Sequence, residues 1–263
     1  MGVSVSFYWA WVVIYTLVSG MQASTTMARQ CLNHLHLYNL LPPYKHLSFE
    51  ETELHSFSLR HKPQSLTLPH RGYYKMTMIR IKHNLSNNDL LDPTPLSTTG
   101  PSYLKKPLPK RHGDRPKIRA HTMPQRQEPG PIDAPTRALL QSLVRQLAAQ
   151  HPDLFEVRPS HTEGKTTDGL YAKKDVPSLN PIARDPILNH EIAHAHPADN
   201  SLHVWLSDPD ARKVVEAGWG QRFPLTFVKS GWTMVYAPRD EVELAVVERI
   251  VKAGTAWITG VEI

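Results

Sequence analysis

Two short runs, Glu191-Ile192-Ala193-His194-Ala195-His196 and Ser201-Leu202-His203-Val204-Trp205-Leu206, flank Pro197-Ala198-Asp199-Asn200, and that pattern reads as a β-hairpin. Strand side chains alternate with period two, so His194 and His196 share a face. A four-residue turn sets His196 opposite Ser201 and His194 opposite His203, and directly opposed residues share a face as well. One face of an antiparallel sheet then carries His194, His196, His203, Ser201 and Trp205. Imidazoles titrate near neutral pH, so three of them together raise the question of what they bind or deprotonate.

The sequence around the hairpin supplies the rest of a domain. Pro135 follows Asp133, and Leu139, Leu140, Leu143, Val144 and Leu147 recur at helical spacing, which predicts a helix ending near Gln150. Leu154 to Arg158 and Asp168 to Ala172 are short strand candidates. After the hairpin, Ser207-Asp208-Pro209 opens a helix whose apolar face is Val214 and Val215, and Gly218 fits the left-handed position after it. Trp232 to Tyr236 reads as a strand. Asp240 caps a last helix with Val242, Val246, Val247, Ile250 and Val251 on one stripe. The order α-β-β-β-β-α-β-α predicts a single α+β domain over residues 115–263, an antiparallel sheet with helices packed on one face.

Upstream the chain reads differently. Residues 1–27 contain no charge, and Val3 to Met21 as a helix would extend about 28 Å, long enough to cross a bilayer. Basic residues begin after that run, at Arg29, Lys45 and Arg60, which predicts a single-pass membrane anchor with the domain facing the cytosol. The alternative is a cleaved signal peptide and a secreted protein, although no basic residue precedes the apolar run. Residues 28–114 have no sustained period and are punctuated by prolines, the pattern of a disordered linker. From Ala28 to Gly130 there are 16 Lys+Arg against 7 Asp+Glu, so the basic charge belongs here. Its most basic run, Leu104 to Arg111, lacks interleaved aromatics and predicts a solvated segment with no nucleic-acid partner. The sole cysteine, Cys31, excludes an internal disulfide framework and a multi-cysteine zinc site.

Two readings of the histidine face stay open. Each ring could be satisfied by backbone or hydroxyl partners in a polar network. The same set, His-x-His with a third histidine across the hairpin, could instead ligate a divalent metal. Glu191 would face away from it on a regular strand, which leaves Asp168 or His161 as a fourth ligand. Trp205, Trp219, Trp232 and Tyr236 could wall a pocket for an aromatic ligand or form ordinary core.

The segments Glu191-Ile192-Ala193-His194-x-His196, Leu202-His203, Gly218-Trp219-Gly220-Gln221-Arg222-x-Pro224-Leu225 and Trp232 through Tyr236-Ala237-Pro238-Arg239 resemble the fungal luciferase family. A fainter echo at Arg115-Pro116 and Gln125-Arg126-Gln127 extends the likeness over roughly residues 115–259. The resemblance implies an oxygen-dependent oxidation of a small hydroxylated pyrone, with molecular oxygen as co-substrate and no flavin, haem or nucleotide. It makes His194, His196, His203 and Arg222 candidate catalytic groups, a neutral imidazole taking the hydroxyl proton and a second imidazole or Arg222 stabilising the developing anion. Arg222 reads equally well as a surface arginine. Trp205, Trp219, Gln221, Trp232, Tyr236 and Arg239 become candidate substrate contacts. The family's Gly-Trp-Gly-x-Arg-His-Pro-Leu has Phe223 here in place of its histidine, which counts against light emission on the family substrate. The competing class is a non-catalytic module that binds a metabolite or a metal.

Overall fold

Asp133 starts the first helix as its spacing predicts: its carboxylate accepts from the Thr136 amide at 2.7 Å, with Pro135 in the first turn. The computed structural model describes residues 78–79, 88–119 and 125–263. Its elements are α1 (Ala134–Gln150), β1 (Phe155–Pro159), β2 (Asp168–Ala172), a 3-10 turn (Pro181–Arg184), β3 (Glu191–Ala195), β4 (Leu202–Trp205), α2 (Asp208–Glu216), β5 (Gly220–Arg222), β6 (Trp232–Val235) and α3 (Glu241–Thr259). Six strands form one antiparallel sheet in the order β1-β2-β3-β4-β6-β5. The strand β5 and the 3-10 turn have no counterpart in the expected order.

The histidine hairpin has the expected register. His194 pairs with His203, and the His196 amide donates to the Ser201 carbonyl at 2.8 Å. Asn200 closes the turn with φ +62°, a left-handed conformation that asparagine tolerates. The opposite face of the same strands is apolar. Leu202 and Val204 point there, together with Val235 and Ala193 across the ladders. All three helices cover that face. The last of them, α3, comes so close at Gly254 that a Cβ would stand 2.9 Å from both the Trp205 carbonyl oxygen and Val204 Cγ1. The first, α1, packs on α3 and on β1 to β3. Val214 of α2 lies beside Gly220, which pairs with Val235. Burying Leu140, Leu147, Val247, Ile250 and Val251 against Leu202 and Val204 gives the main core, each side chain contributing roughly 1.5–3 kcal/mol of transfer free energy.

The predicted anchor, Val3 to Met21, lies outside the described residues, as does nearly all of the linker before Asn88. Among the described residues no helix is long and apolar enough to cross a membrane. Residues 88–114, expected as the end of a disordered linker, are instead laid along the domain. Leu96 and Leu104 are buried in the core cluster, and the Tyr103 and Leu104 amides donate to the buried Asp210 carboxylate at 2.7 and 3.2 Å. Trp219 Nε1 donates to the Pro109 carbonyl at 2.7 Å. The segment has no period because it is irregular chain of turns and coil, held by polar groups that side chains of the domain supply.

Candidate functional site

The strands β3 and β4 bring three imidazoles to the sheet face opposite α1, α2 and α3. His194, His196 and His203 are 0%, 1% and 2% exposed, so bulk solvent reaches none of them. His194 Nε2 lies 3.1 Å from His196 Nε2, which lies 3.1 Å from His203 Nδ1; the third edge, His203 to His194, is 3.3 Å. A carboxylate completes the group. Glu163 Oε1 is 3.3, 3.5 and 3.9 Å from those same three nitrogens.

Glu163 sits on the tight β1–β2 loop, where Gly164 and Lys165 take positive φ and the Lys165 amide returns to the Ser160 carbonyl. Sequence reasoning missed it, naming His161 and Asp168 instead. Asp168 binds Arg145 Nε at 2.6 Å at the surface, and the His161 amide donates to Glu191 at 3.1 Å. The only available signal was its place two residues after His161. Glu191 also departs from expectation. A β-bulge in β3 pairs Leu170 with Ala193 but Tyr171 with Glu191, and that extra residue turns Glu191 to the histidine face.

The outer nitrogens fix the tautomers. Glu191 accepts from Ser160 Oγ at 2.6 Å, Tyr171 Oη at 3.0 Å and the His161 and Thr162 amides, so it is an ionised carboxylate and the His194 Nδ1 that lies 2.8 Å away donates to it. Ser201 Oγ gives its proton to Asp199 at 2.6 Å and therefore accepts from His196 Nδ1 at 2.8 Å. Gln125 Nε2 donates to the Arg222 carbonyl, which turns its Oε1 toward His203 Nε2 at 3.3 Å. In the neutral rings every inner nitrogen then presents a lone pair.

The charges around the group act in opposed directions. Burial alone would raise Glu163, yet the imidazole charges and hydrogen bonds of His196 and His194 hold it well below the usual glutamate range. Burial alone would lower His194, but bonds and charges from Glu163 and Glu191 outweigh it and raise the ring to about 9. His203 is driven well below the ordinary imidazole value by burial and by the two neighbouring rings. Arg126 pairs with Glu163 and stands 3.7 Å from Asp199.

Aromatic groups wall this face unevenly. Trp232 stacks on His203, centroids 5.6 Å apart at 15°, and also lies 5.6 Å from His194. Phe223 meets His203 edge-on at 5.3 Å and is partly exposed. Trp205 pairs with Trp232 across β4 and β6 and is wholly buried. Gln221 and Tyr236 form a buried pair, the phenol donating at 3.2 Å. The remaining predicted residues are not brought to the cluster. Arg222 pairs with Thr233, whose partner is Val204, so its side chain leaves the sheet on the other face. Its guanidinium donates to the Asp92 carbonyl at 2.8 Å and to Asn88 Oδ1 at 2.6 Å. Trp219 lies under Arg111, and Arg239 binds Glu243 and the His112 carbonyl.

Residues 189–254, which contain all three histidines, Phe223 and Trp232, match the family described as Luciferase domain. A luciferase of Armillaria mellea is 34% identical over 166 residues, covering 58% of this chain and 61% of its own. The luciferase of Armillaria gallica is 35% identical over 167 residues and that of Neonothopanus nambi 34% over 165, with the same shares. The chain thus spans about three fifths of the length of these curated relatives. No solved structure matches it.

Proposed function

Given that this chain carries a segment of the fungal luciferase family, we propose that the domain oxidises a small hydroxylated pyrone or aromatic metabolite with molecular oxygen, without an organic cofactor, at the histidine cluster. The observation that supports this reading is the convergence of three imidazole nitrogens and Glu163 on one point, within the strands that match the family. An acidic ring hydroxyl must lose its proton before the ring is electron-rich enough to react. An inward-facing imidazole nitrogen of the cluster can take that proton. The enolate carbon then gives an electron pair to dioxygen, forming a carbon–oxygen bond and a peroxide whose charge needs a cationic or hydrogen-bonding neighbour. Phe223 is the partly exposed ring against the cluster, so the approach of a flat substrate runs past it to Trp232. The proposal extends to oxidation and not to light, because the ring at Phe223 can neither give nor take a proton.

Oxygen consumption by the purified full chain with a panel of hydroxypyrones, read with product mass, tests this. Uptake that ends when His194 is replaced by alanine, with the fold intact by circular dichroism, supports it. A hydroxypyrone that binds while no oxygen is consumed overturns it. Near-complete burial of the three rings favours the second reading, a non-catalytic module organised by its buried polar network.

A further inference from the structure

The inner ends of the three imidazoles present a conflict that their hydrogen bonds do not resolve. The outer nitrogens carry the protons, donating to Glu191, Ser201 and Gln125. With the rings neutral, three lone pairs and a carboxylate oxygen therefore point at one another across 3.1 to 3.9 Å. Charge adds to the conflict. Glu163, Glu191 and Asp199 are three buried carboxylates around the rings, and the buried Arg126 pairs with Glu163 and stands 3.7 Å from Asp199. Buried carboxylates persist where cations and hydrogen bonds answer them. A proton on one ring would relieve one contact and one charge. A doubly charged cation relieves all of them.

We infer that His194 Nε2, His196 Nε2, His203 Nδ1 and Glu163 Oε1 form the ligand set of a divalent first-row transition metal. The separations fit: a tetrahedral site with bonds of about 2.0–2.1 Å has edges of roughly 3.3 Å, and the six observed edges scatter around that value. The donor types fit as well. Three imidazoles with one carboxylate suit zinc, iron, cobalt or manganese, whereas calcium and magnesium require a shell of oxygens. The outer partners also fit. Each ligating ring is held by a carboxylate, a Ser201–Asp199 relay or an amide oxygen, the arrangement that orients metal-bound histidines. Bound there, the cation would engage the lone pairs of all three imidazoles and fix their orientation, so the rings could not then act as free bases. The site stands on these contacts whether or not the oxidation reading does.

The test uses the full chain, purified without chelator and analysed for metal by mass spectrometry. It is then stripped and titrated separately with Zn(II), Fe(II), Co(II) and Mn(II). One equivalent bound per chain, a raised melting temperature and tetrahedral ligand-field bands with Co(II) are expected. His196→Ala should abolish binding. Because that variant could fail to fold, Gln125→Ala provides a milder probe: it leaves every ligand in place and should weaken affinity about 10–100-fold by releasing His203. A folded chain that arrives without metal and takes up none of the four ions overturns the site. Metal bound without oxygen uptake keeps the site and removes the oxidation reading; oxygen uptake by a chain unable to bind metal does the reverse.

Discussion

Phe223 stands edge-on to His203 at the partly exposed side of the cluster, where the resemblance leads one to expect a histidine. A ring of similar breadth keeps the packing, so the change bears on proton transfer more than on folding. Phe223→His is expected to raise turnover of a hydroxylated pyrone while moving the melting temperature little, measured by oxygen uptake beside a thermal scan. Unchanged turnover with substrate bound would show that this position does not limit the reaction. At this scale the shared face of His194, His196 and His203 was legible, because period two and a four-residue turn determine it. Glu191 was not legible, since a single extra residue at the bulge reverses the parity on which the argument rests. Glu163 was hidden for another reason. It reaches the cluster from a loop, and loop geometry leaves no period in the sequence.

The elements followed from caps and stripes: Asp133, Ser207 and Asp240 each accept from an amide in the first helical turn, and the apolar stripe of α3 is buried at Val246, Val247, Ile250 and Val251, whereas Val242, expected on the same stripe, lies exposed in the first turn. The strand β5 escaped detection because three residues cannot display alternation. Its last residue, Arg222, therefore looked free to join the site, when strand parity commits it to the other face. Within α3, Gly254 sets the helix-to-sheet distance. Gly254→Ala would gain about 1 kcal/mol of helix propensity, but its Cβ meets a backbone carbonyl oxygen at 2.9 Å, and such overpacking costs about 1–3 kcal/mol. A net loss of stability is expected, read as a lowered midpoint in urea; a gain would mean that α3 can shift outward freely. At the start of α3, bonds from Arg239 and the charge of Arg111 outweigh burial and lower the Glu243 carboxyl. A depressed carboxyl stabilises the fold above its unfolded value, near 4.5, and that contribution disappears as the pH falls through the folded value. Glu243→Gln should therefore flatten the loss of stability below about pH 4.5 relative to the parent chain, in parallel urea titrations at several pH values.

For the whole molecule, the boundary of the folded body lies upstream of the one that periodicity suggests. Residues 88–114 contribute buried Leu96 and Leu104, the donors that satisfy Asp210, the Pro109 carbonyl under Trp219, and Arg111, whose Nη2 pairs with Glu243 at 3.1 Å. Their cationic charge, which reads as a solvated linker, is partly used inside the fold. A chain beginning at Asn88 keeps all of these contacts, whereas one beginning at Arg115 loses them together. Two leucines at roughly 1.5–3 kcal/mol each and the severed Arg111 pair amount to a substantial part of a stability that is typically about 5–15 kcal/mol. The longer truncation, removing Met1 to Asp114, is thus expected to melt well below the full chain or to aggregate through the exposed surface of α2 and β5. The shorter one, removing Met1 to Asn87, should melt close to the full chain. Equal melting temperatures for both would show that the extended segment rests on the domain without stabilising it, and the boundary at residue 115 would then stand.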